Sequence, residues 1–253
     1  MPEVAIIVPT YNERKNLVPL TGLLAETLAG VDYEVIFVDD DSTDGTSAAA
    51  RSLAQHDPHI RIIQRIGRRG LASAAVEGML AASARFLLVM DADLQHDERV
   101  IPAMLEKMKT ECLDVVIGTR NAGGGSMGDF AAERVGLSKA GQALSAMVCK
   151  VPVSDPMSGF FLLRRSFYLE VADSVEGKGF KILLDMLTTC TRRVRVGEVG
   201  YRFRNRQHGK SKLGPSVLFE YLLMLGRKLL RTQRNRPRAA QIQPPASEFY
   251  RRA

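Results

Sequence analysis

The 253-residue sequence has no tryptophan, three cysteines and no apolar run of the roughly 20 residues needed to cross a bilayer. Cys112, Cys149 and Cys190 are far apart and odd in number, so neither a disulfide framework nor a zinc site is indicated. The first apolar run, Val4 to Val8, is too short for a signal-peptide core and has no basic leader. We therefore expect a reducing, cytosolic setting and no secretion.

The sequence also lacks the glycine-rich turns that hold phosphates in many nucleotide-binding folds. Val4 to Val8 predicts a strand and Leu17 to Leu28 predicts a helix, and the turn between them, residues 9–13, is Pro-Thr-Tyr-Asn-Glu. A Rossmann site or a P-loop needs glycine at this turn. If this site binds a diphosphate, the compensating charge must come from a metal ion.

The positive charge of the chain, +7 at neutral pH, is confined to one end. Residues 1–226 hold 27 basic and 27 acidic side chains, whereas residues 227–253 hold eight basic and one acidic. The cations match no nucleic-acid motif, so a non-enzymatic protein that binds nucleic acid or an anionic surface is only a remote alternative. The length and a hydrophobic content of 45% suit one globular domain.

Buried strands and helices alternate strictly through the first half of the chain. Strands are predicted at Val35–Val38, Ile60–Gln64 and Phe86–Met90, and a helix at Leu71–Ala84. This alternation predicts an α/β fold with a mostly parallel sheet whose ligands bind at the carboxyl ends of the strands. Further along, the pattern predicts a helix that begins after Asp97 and ends at Lys109, a strand at Asp114–Thr119 and a helix at 130–148. It then predicts a buried strand after Gly159, a helix that begins within 179–185 and an exposed strand at Val194–Phe203.

Two acidic residues follow the most hydrophobic strand. Asp91 and Asp93 come where the run Phe86–Met90 must leave the core, and alternate residues of an extended segment point the same way. Gln95 could add a neutral oxygen from the same side. Hard oxygen ligands of this kind suit Mg²⁺ or Mn²⁺ held together with substrate phosphates. An isolated Asp-x-Asp is more often a solvated turn. The metal hypothesis therefore depends on the position of the two aspartates at the end of a buried strand.

Other polar clusters allow a functional and a plain structural interpretation. Asp39–Asp41 could accept hydrogen bonds from a nucleobase or form a charged turn with a helix N-cap. The glycine-rich residues 121–129 could be a lid or a linker, and the basic residues 204–214 could face a diphosphate or form a solvated loop. His96 and His208 have no partner at metal-ligand spacing, so surface roles are expected.

The C-terminal region divides into an apolar helix and a basic tail. Residues 217–230 predict a helix too short to span a bilayer, followed by a run of arginines. Either it lies in the membrane interface beside anionic lipid, or it is a core helix with a disordered tail. We therefore expect a catalytic domain over 1–213, an amphipathic helix over 214–231 and a disordered basic tail over 232–253.

Five motifs in this order resemble family 2 glycosyltransferases of the GT-A fold. They are Val8-Pro-Thr-Tyr-Asn-Glu13, Val38-Asp-Asp-Asp-Ser-Thr-Asp-Gly-Thr46, Asp91-Ala-Asp-Leu-Gln95, Asp155-Pro-Met-Ser-Gly-Phe-Phe161 and Gly209-Lys-Ser-Lys-Leu-Gly214. The resemblance spans about residues 3–230 and is strongest to enzymes that transfer mannose to dolichyl or polyprenyl phosphate. It implies a Rossmann-like central sheet flanked by helices.

The resemblance also implies particular site residues. Nucleotide contacts are implied at Pro9, Tyr11, Glu13, Val38 and Asp40. Metal and diphosphate contacts are implied at Asp91, Asp93 and Gln95, with Ala92 beside them. Cationic positions around the donor are implied at Arg120, Arg206 and Lys212, and acceptor or sugar positions at Arg134, Ser138 and Asp155. Asp91, Asp93, Arg206 and Lys212 would carry catalysis by stabilising the departing diphosphate.

The implied reaction is inverting transfer of mannose from GDP-mannose to a dolichyl or polyprenyl phosphate at the cytoplasmic face of a membrane, with Mg²⁺ or Mn²⁺. Peripheral binding or a small membrane-protein partner is expected, and no nucleic acid. The nearest alternative is a UDP-glucose-dependent polyprenyl-phosphate glucosyltransferase. A processive polysaccharide synthase is disfavoured because its Gln-x-x-Arg-Trp signature needs tryptophan, and a nucleotidyltransferase because its glycine-rich basic loop is missing.

Overall fold

A computed structural model describes residues 1–120, 151–175, 177 and 182–204. Within these residues, seven strands form one sheet: β1 Val4–Thr10, β2 Tyr33–Asp39, β3 Ile60–Gln64, β4 Phe86–Val89, β5 Val115–Thr119, β6 Phe161–Arg164 and β7 Val196–Gly200. Six helices are described: α1 Arg14–Thr27, α2 Thr46–His56, α3 Leu71–Ala81, α4 Ile101–Thr110, α5 Arg165–Val171 and α6 Ile182–Thr189. Two short 3₁₀ turns cover Glu98–Val100 and Ala172–Ser174.

The sheet is mostly parallel, as the alternating pattern predicted. Its strand order is β3-β2-β1-β4-β6-β5-β7, and only β6 runs against its neighbours β4 and β5. The carboxyl ends of β1, β2, β4, β5 and β7 therefore share one edge, and the residues that precede β6 lie at that edge too. Segments that are distant in sequence are brought together there.

Helices cover both faces of the sheet, which explains why its central strands are continuous apolar runs. Apolar side chains of α1, α2 and α4 pack on one face, and those of α3, α5 and α6 pack on the other. Val4–Val8 of β1 is fully buried. Each such Val or Ile side chain contributes about 1.5–3 kcal/mol to folding.

Most predicted elements are confirmed, with shifted bounds. The helix predicted over Leu71–Ala84 ends at Ala81, and the strand predicted over Val194–Phe203 is limited to the five residues of β7. The predicted helices at 130–148 and 217–230, the glycine-rich residues 121–129, the basic tail and the domain boundaries at 213 and 231 lie outside the described residues. No helix in the described ranges is both long and apolar enough to cross a membrane.

Candidate active site

A cavity of about 550 Å³ opens at the shared carboxyl edge of the strands. One wall comes from the loops after β1, β2 and β3, the floor from the residues after β4, and the opposite wall from residues before β6 and after β5 and β7. The residues that line it are Pro9, Thr10, Tyr11, Glu13, Asp40, Arg69, Gly70, Leu71, Asp91, Ala92, Asp93, Gln95, His96, Arg120, Met157, Ser158, Gly159, Tyr201 and Phe203. Such a cavity is large enough for a small-molecule substrate.

The loops after β1 and β2 hold each other in place. Asn12, whose φ of 58° is left-handed, donates its N–H to Oγ of Ser42 at 2.8 Å and accepts at Oδ1 from the N–H of Thr43 at 3.0 Å. The N–H of Glu13 donates to Oγ1 of Thr46 at 2.9 Å. Asparagine tolerates this backbone conformation better than most residues. The turn that replaces a glycine-rich loop is thus rigid, and Tyr11 and Glu13 line the cavity from it.

The three consecutive aspartates have three different surroundings. Asp39 is fully buried and accepts from the hydroxyls of Thr10, Ser42 and Ser47, so it fixes the loops. Asp41 is partly exposed and accepts from the N–H of Gly67 at 3.3 Å. Of the three, Asp40 alone lines the cavity.

The carboxylate of Asp40 is tied to the loop after β3. Its Oδ1 pairs with the buried guanidinium of Arg65, and its Oδ2 accepts from the N–H of Gly70 at 2.6 Å. Gly70 has a φ of 141°, a conformation suited to glycine. Beside it, the Arg69 guanidinium lies 4.5 Å from the centre of the Tyr11 ring. Arg69 lines the cavity and Arg65 supports Asp40 from behind, and the resemblance indicated neither arginine.

The other predicted nucleotide residues differ in their access to the cavity. Pro9 and the buried Ala92 line it. The side chain of Val38 does not, because it packs against α3, where a Cβ added to Gly78 would meet Cγ2 of Val38 at 2.9 Å. A contact between Val38 and a nucleotide would therefore come from its backbone.

The paired acids lie on the cavity floor just after β4. Asp91 is partly exposed, whereas Asp93 is buried. Asp93 Oδ1 accepts from the N–H of Gln95 at 3.1 Å, and Leu94 between them has a left-handed φ of 62°. Asp91, Asp93 and Gln95 all line one cavity, and their predicted role as a cation site stays a prediction.

The donor set fits a hard divalent cation that shares its ligands with substrate. Among the described residues, no three His, Cys, Asp or Glu side chains form a group that could hold a metal on their own. Two carboxylates and an amide oxygen are the incomplete set typical of Mg²⁺ or Mn²⁺ sites that are completed by phosphates and water. The chemistry of the three side chains suits such an ion.

The structure overturns the prediction that His96 is a surface residue. His96 is 4% exposed, its ring stacks on Phe160 at 5.0 Å, and its Nδ1 accepts from the N–H of Asp91 at 3.2 Å. Burial lowers the pKa of His96 to about 4, so the imidazole is neutral at pH 7. Its Nε2 lies 3.9 Å from Oδ2 of Asp91, and the neutral ring places no positive charge against that carboxylate.

Arg120, at the end of β5, forms the opposite wall. Its Nη2 donates to Oδ2 of Asp155 at 3.3 Å, and its guanidinium lies 4.9 Å from the centre of the Phe203 ring. Asp155 is 1% exposed and does not line the cavity. Within the part of the chain that the structure describes, its Oδ1 has no hydrogen-bond partner. Asp155 therefore lies behind Arg120, and its predicted role toward the acceptor or sugar stays a prediction.

Sequence reasoning missed the aromatic part of this wall. Tyr201 and Phe203 follow β7, line the cavity and contact the His96 ring edge to face at 5.8 and 5.9 Å. Burial raises the pKa of Tyr201, so its hydroxyl stays protonated. The alternation of residues 194–203 was a signal that these side chains share one face, but it could not show which face meets the site.

The structure corrects the prediction for one of the basic residues that follow β7. Arg204 was grouped with the cations facing a diphosphate, but its guanidinium is paired with Asp97 and Glu98 at 2.8 and 2.7 Å. It does not line the cavity. The predicted site residues Arg134, Ser138, Arg206 and Lys212 lie outside the described residues.

The sequence of this chain is similar to those of known proteins. Residues 5–171 match the Glycosyl transferase family 2 profile. A dolichol-phosphate mannosyltransferase from Pyrococcus furiosus is 39% identical over 228 residues, which are 87% of this chain and 62% of that protein. The Saccharomyces cerevisiae protein of the same name is 36% identical, over 88% of this chain and 85% of its own.

A solved structure shares the fold at low identity. Glucosyl-3-phosphoglycerate synthase from Mycobacterium tuberculosis, in complex with Mn²⁺, UDP-glucose and phosphoglyceric acid, superposes with a TM-score of 0.62 at 18% identity, covering 91% of this chain and 79% of its own. The central sheet and flanking helices are therefore those of a GT-A fold. On the family match, the identity to the curated relatives and this fold, the chain belongs to glycosyltransferase family 2 and is a glycosyltransferase.

Proposed function

We propose that this glycosyltransferase transfers mannose from GDP-mannose to a dolichyl or polyprenyl phosphate, with inversion at the anomeric carbon. The relatives named dolichol-phosphate mannosyltransferase support the donor sugar and the acceptor class. One observation of the molecule carries the proposal. Asp91 and Asp93 line the same cavity as Tyr11 and Glu13 on one side and Arg120 on the other, so a sugar nucleotide can span from the base side to the cationic wall.

The nucleotide half of the proposed site is the rigid wall formed by the loops after β1, β2 and β3. Tyr11 and Glu13 offer an aromatic face and a buried carboxylate, and Asp40 is held by Arg65 and Gly70. A carboxylate can accept from the N–H groups of guanine. Preorganised loops reduce the entropy lost when a nucleotide binds. The same loops could serve a uracil base, so donor competition is needed to assign the nucleotide.

Asp91, Asp93 and Gln95 would hold Mg²⁺ or Mn²⁺ together with the diphosphate. When bound, the ion would neutralise the negative charge that develops on the diphosphate as it leaves. A solved protein of the same fold holds Mn²⁺ with UDP-glucose, which supports a divalent ion without deciding which one. Among the described residues, Arg120 is the cationic side chain of the far wall. Arg206 and Lys212 are predicted contributors by resemblance alone.

The acceptor phosphate would need no general base. A phosphate monoester with a second pKa near 6 is already an anion at neutral pH. One of its oxygens attacks the anomeric carbon of the sugar, the bond from that carbon to the diphosphate breaks, and the diphosphate departs with the electron pair. In this scheme Arg120 binds an anionic oxygen, and Asp155 orients Arg120 from behind. Arg134 and Ser138 stay predicted acceptor contacts.

The chemistry of the acceptor places the reaction at a membrane. A dolichyl or polyprenyl phosphate lies in a bilayer, so we propose peripheral binding at the cytoplasmic face, alone or with a small membrane-protein partner. No nucleic-acid partner is proposed. The membrane attachment itself can be checked by flotation with vesicles that contain anionic lipid and a polyprenyl phosphate.

A donor screen tests this function directly. Purified full chain, Mn²⁺ and a short polyprenyl phosphate are incubated with GDP-mannose or UDP-glucose, and the lipid products are analysed by mass. The expected product is a mannosyl phosphate lipid, with GDP competing against the donor more strongly than UDP. A glucosyl product with preferential competition by UDP would instead identify a glucosyltransferase.

A further inference from the structure

Arg204 is bound to the turn that carries the paired acids, although it is 109 residues from Gln95 in sequence. The N–H of Arg204 donates to the carbonyl of Gln95 at 2.9 Å, and Nε2 of Gln95 donates to the carbonyl of Arg204 at 3.1 Å. The second bond orients the amide of Gln95, because its nitrogen faces Arg204. The amide oxygen, the atom that suits a hard cation, is at the opposite end of that group.

The side chain of Arg204 is anchored a few residues further along the same loop. Its Nη1 donates to Oε2 of Glu98 at 2.7 Å, and its Nη2 donates to Oδ1 of Asp97 at 2.8 Å and to Oε1 of Glu98 at 3.1 Å. Glu98 and Asp97 are 2% and 6% exposed. The planar guanidinium pairs with two buried carboxylates, and this geometry fixes its orientation. A lysine ammonium, which is a point charge, would be held less firmly.

This network leaves little freedom in residues 91–98. Asp97 also accepts from Nε and Nη2 of Arg99 at 2.8 and 2.7 Å. At its other end, the turn is held by the bond from the N–H of Asp91 to His96. The predicted cation ligands therefore lie on a segment fixed by His96 on one side and by Arg204 on the other.

We propose that Arg204 is a positioning residue for the cation site, because it fixes the Gln95 amide and the Asp91–Gln95 turn through Asp97 and Glu98 without touching the cation itself. This inference rests on the function proposed above. Partners that orient metal ligands from behind typically change metal affinity by about 10- to 100-fold when they are removed. The same effect is expected for Arg204.

Arg192 supplies a matched control. It also bridges two carboxylates, Asp114 at 2.8 Å and Glu170 at 2.9 Å, but it does not line the cavity or contact the loop at 91–98. Each of the two variants, Arg192→Gln and Arg204→Gln, thus removes an arginine that pairs with two carboxylates. A general loss of stability would affect both variants, whereas loss of cation positioning would affect only Arg204→Gln.

The test measures Mn²⁺ binding to the full chain, with the electron paramagnetic resonance signal of free Mn²⁺ as the readout. The titration is done without nucleotide and again with GDP or UDP present. Arg204→Gln should weaken Mn²⁺ binding by about tenfold and Arg204→Lys by less, with Arg192→Gln close to wild type. The single variant leaves the buried carboxylate of Glu98 without its arginine. If Arg204→Gln does not fold for this reason, the double variant with Glu98→Gln removes that charge and should show the same weakened Mn²⁺ binding.

An Asp91→Asn arm separates this inference from the proposed function. Loss of Mn²⁺ binding in Asp91→Asn together with wild-type affinity in Arg204→Gln would overturn the role of Arg204 alone. Equal weakening in Arg204→Gln and Arg192→Gln would overturn it as well. Wild-type Mn²⁺ affinity in Asp91→Asn would instead show that the cation site is misplaced, and the proposed function would fail with it.

Discussion

Nη2 of Arg120 donates to Oδ2 of the buried Asp155 over 3.3 Å, which places a carboxylate behind the cationic wall of the cavity. Asp155 is 35 residues from Arg120 in sequence and meets it because β6 runs antiparallel between β4 and β5. The contact makes Asp155 a partner of an arginine, whereas a general base would have to reach the acceptor.

Asp155→Asn should therefore lower kcat with a phosphate acceptor by only about tenfold, less than the 10²–10⁴ that a general base contributes. The residual loss comes from weaker orientation of Arg120. Donor affinity, measured by nucleotide titration, should change little. Asp173→Asn, the same change at an exposed carboxylate in the 3₁₀ turn after α5, is the control. Complete loss of turnover with donor binding intact would show that a base is required.

Gly78 in α3 marks a close contact between that helix and the sheet. A Cβ at Gly78 would lie 2.6 Å from Cγ2 of Ile7 and 2.9 Å from Cγ2 of Val38. Gly78→Ala should lower the free energy of unfolding by about 1–3 kcal/mol, because the core must shift to admit a methyl group.

Gly22 in α1 offers the opposite case, since nothing lies within 4 Å of its added Cβ. Gly22→Ala should raise the free energy of unfolding by about 0.5–1 kcal/mol through helix propensity. Urea unfolding of both variants measures the two effects. A Gly78→Ala protein as stable as wild type would show that the helix and sheet are less tightly packed than described.

Asp114 gives the chain an acid-sensitive contact. Burial alone would raise the pKa of Asp114, but hydrogen bonds from Arg192 and Arg195 outweigh it and hold that pKa well below its usual range. The folded state thus binds the proton less tightly than the unfolded chain. The stabilisation is complete above the unfolded pKa of about 3.9 and is lost as the pH falls through the folded pKa.

Asp114→Asn should cost about 2–3 kcal/mol of unfolding free energy at pH 7, and the difference from wild type should shrink below about pH 4. Glu111→Gln, which breaks the exposed pair with Lys107, should cost only about 0.3–0.5 kcal/mol. Denaturant unfolding at pH 7, 5 and 3 gives the comparison. A difference for Asp114→Asn that grows on acidification would contradict the assigned direction of the pKa shift.

The strands and the paired acids were predictable because a buried apolar run followed by two aspartates is a local signal. Phe86–Met90 indicated where β4 ends, and Asp91 and Asp93 follow it. The direction of β6 was not predictable, since a strand buried on both faces has the same apolar pattern whether it runs parallel or antiparallel. With that direction unknown, the position of Asp155 beside Arg120 could not be foreseen.

The burial of His96 and the pairing of Arg204 depend on contacts between distant segments. His96 stacks on Phe160, which precedes β6, and Arg204 meets Asp97 and Glu98 from beyond β7. Neither residue stands at a sequence spacing that signals such a partner. In the sequence, therefore, a lone histidine suggested a surface residue and an arginine in a basic run suggested a free cation.

The proposed reaction depends on a divalent cation that Asp91 and Asp93 hold and that neutralises the leaving diphosphate. The most direct measurement is sugar transfer by the full chain after removal of divalent ions with a chelator, followed by re-addition of Mn²⁺ or Mg²⁺, for wild type, Asp91→Asn and the nearby control Asp41→Asn. A cation held by this pair predicts that the metal-free enzyme is inactive, that added metal restores wild type and Asp41→Asn, and that Asp91→Asn stays at least about 100-fold lower. Transfer that is unchanged by the chelator, or an Asp91→Asn variant restored to wild-type activity, would contradict it.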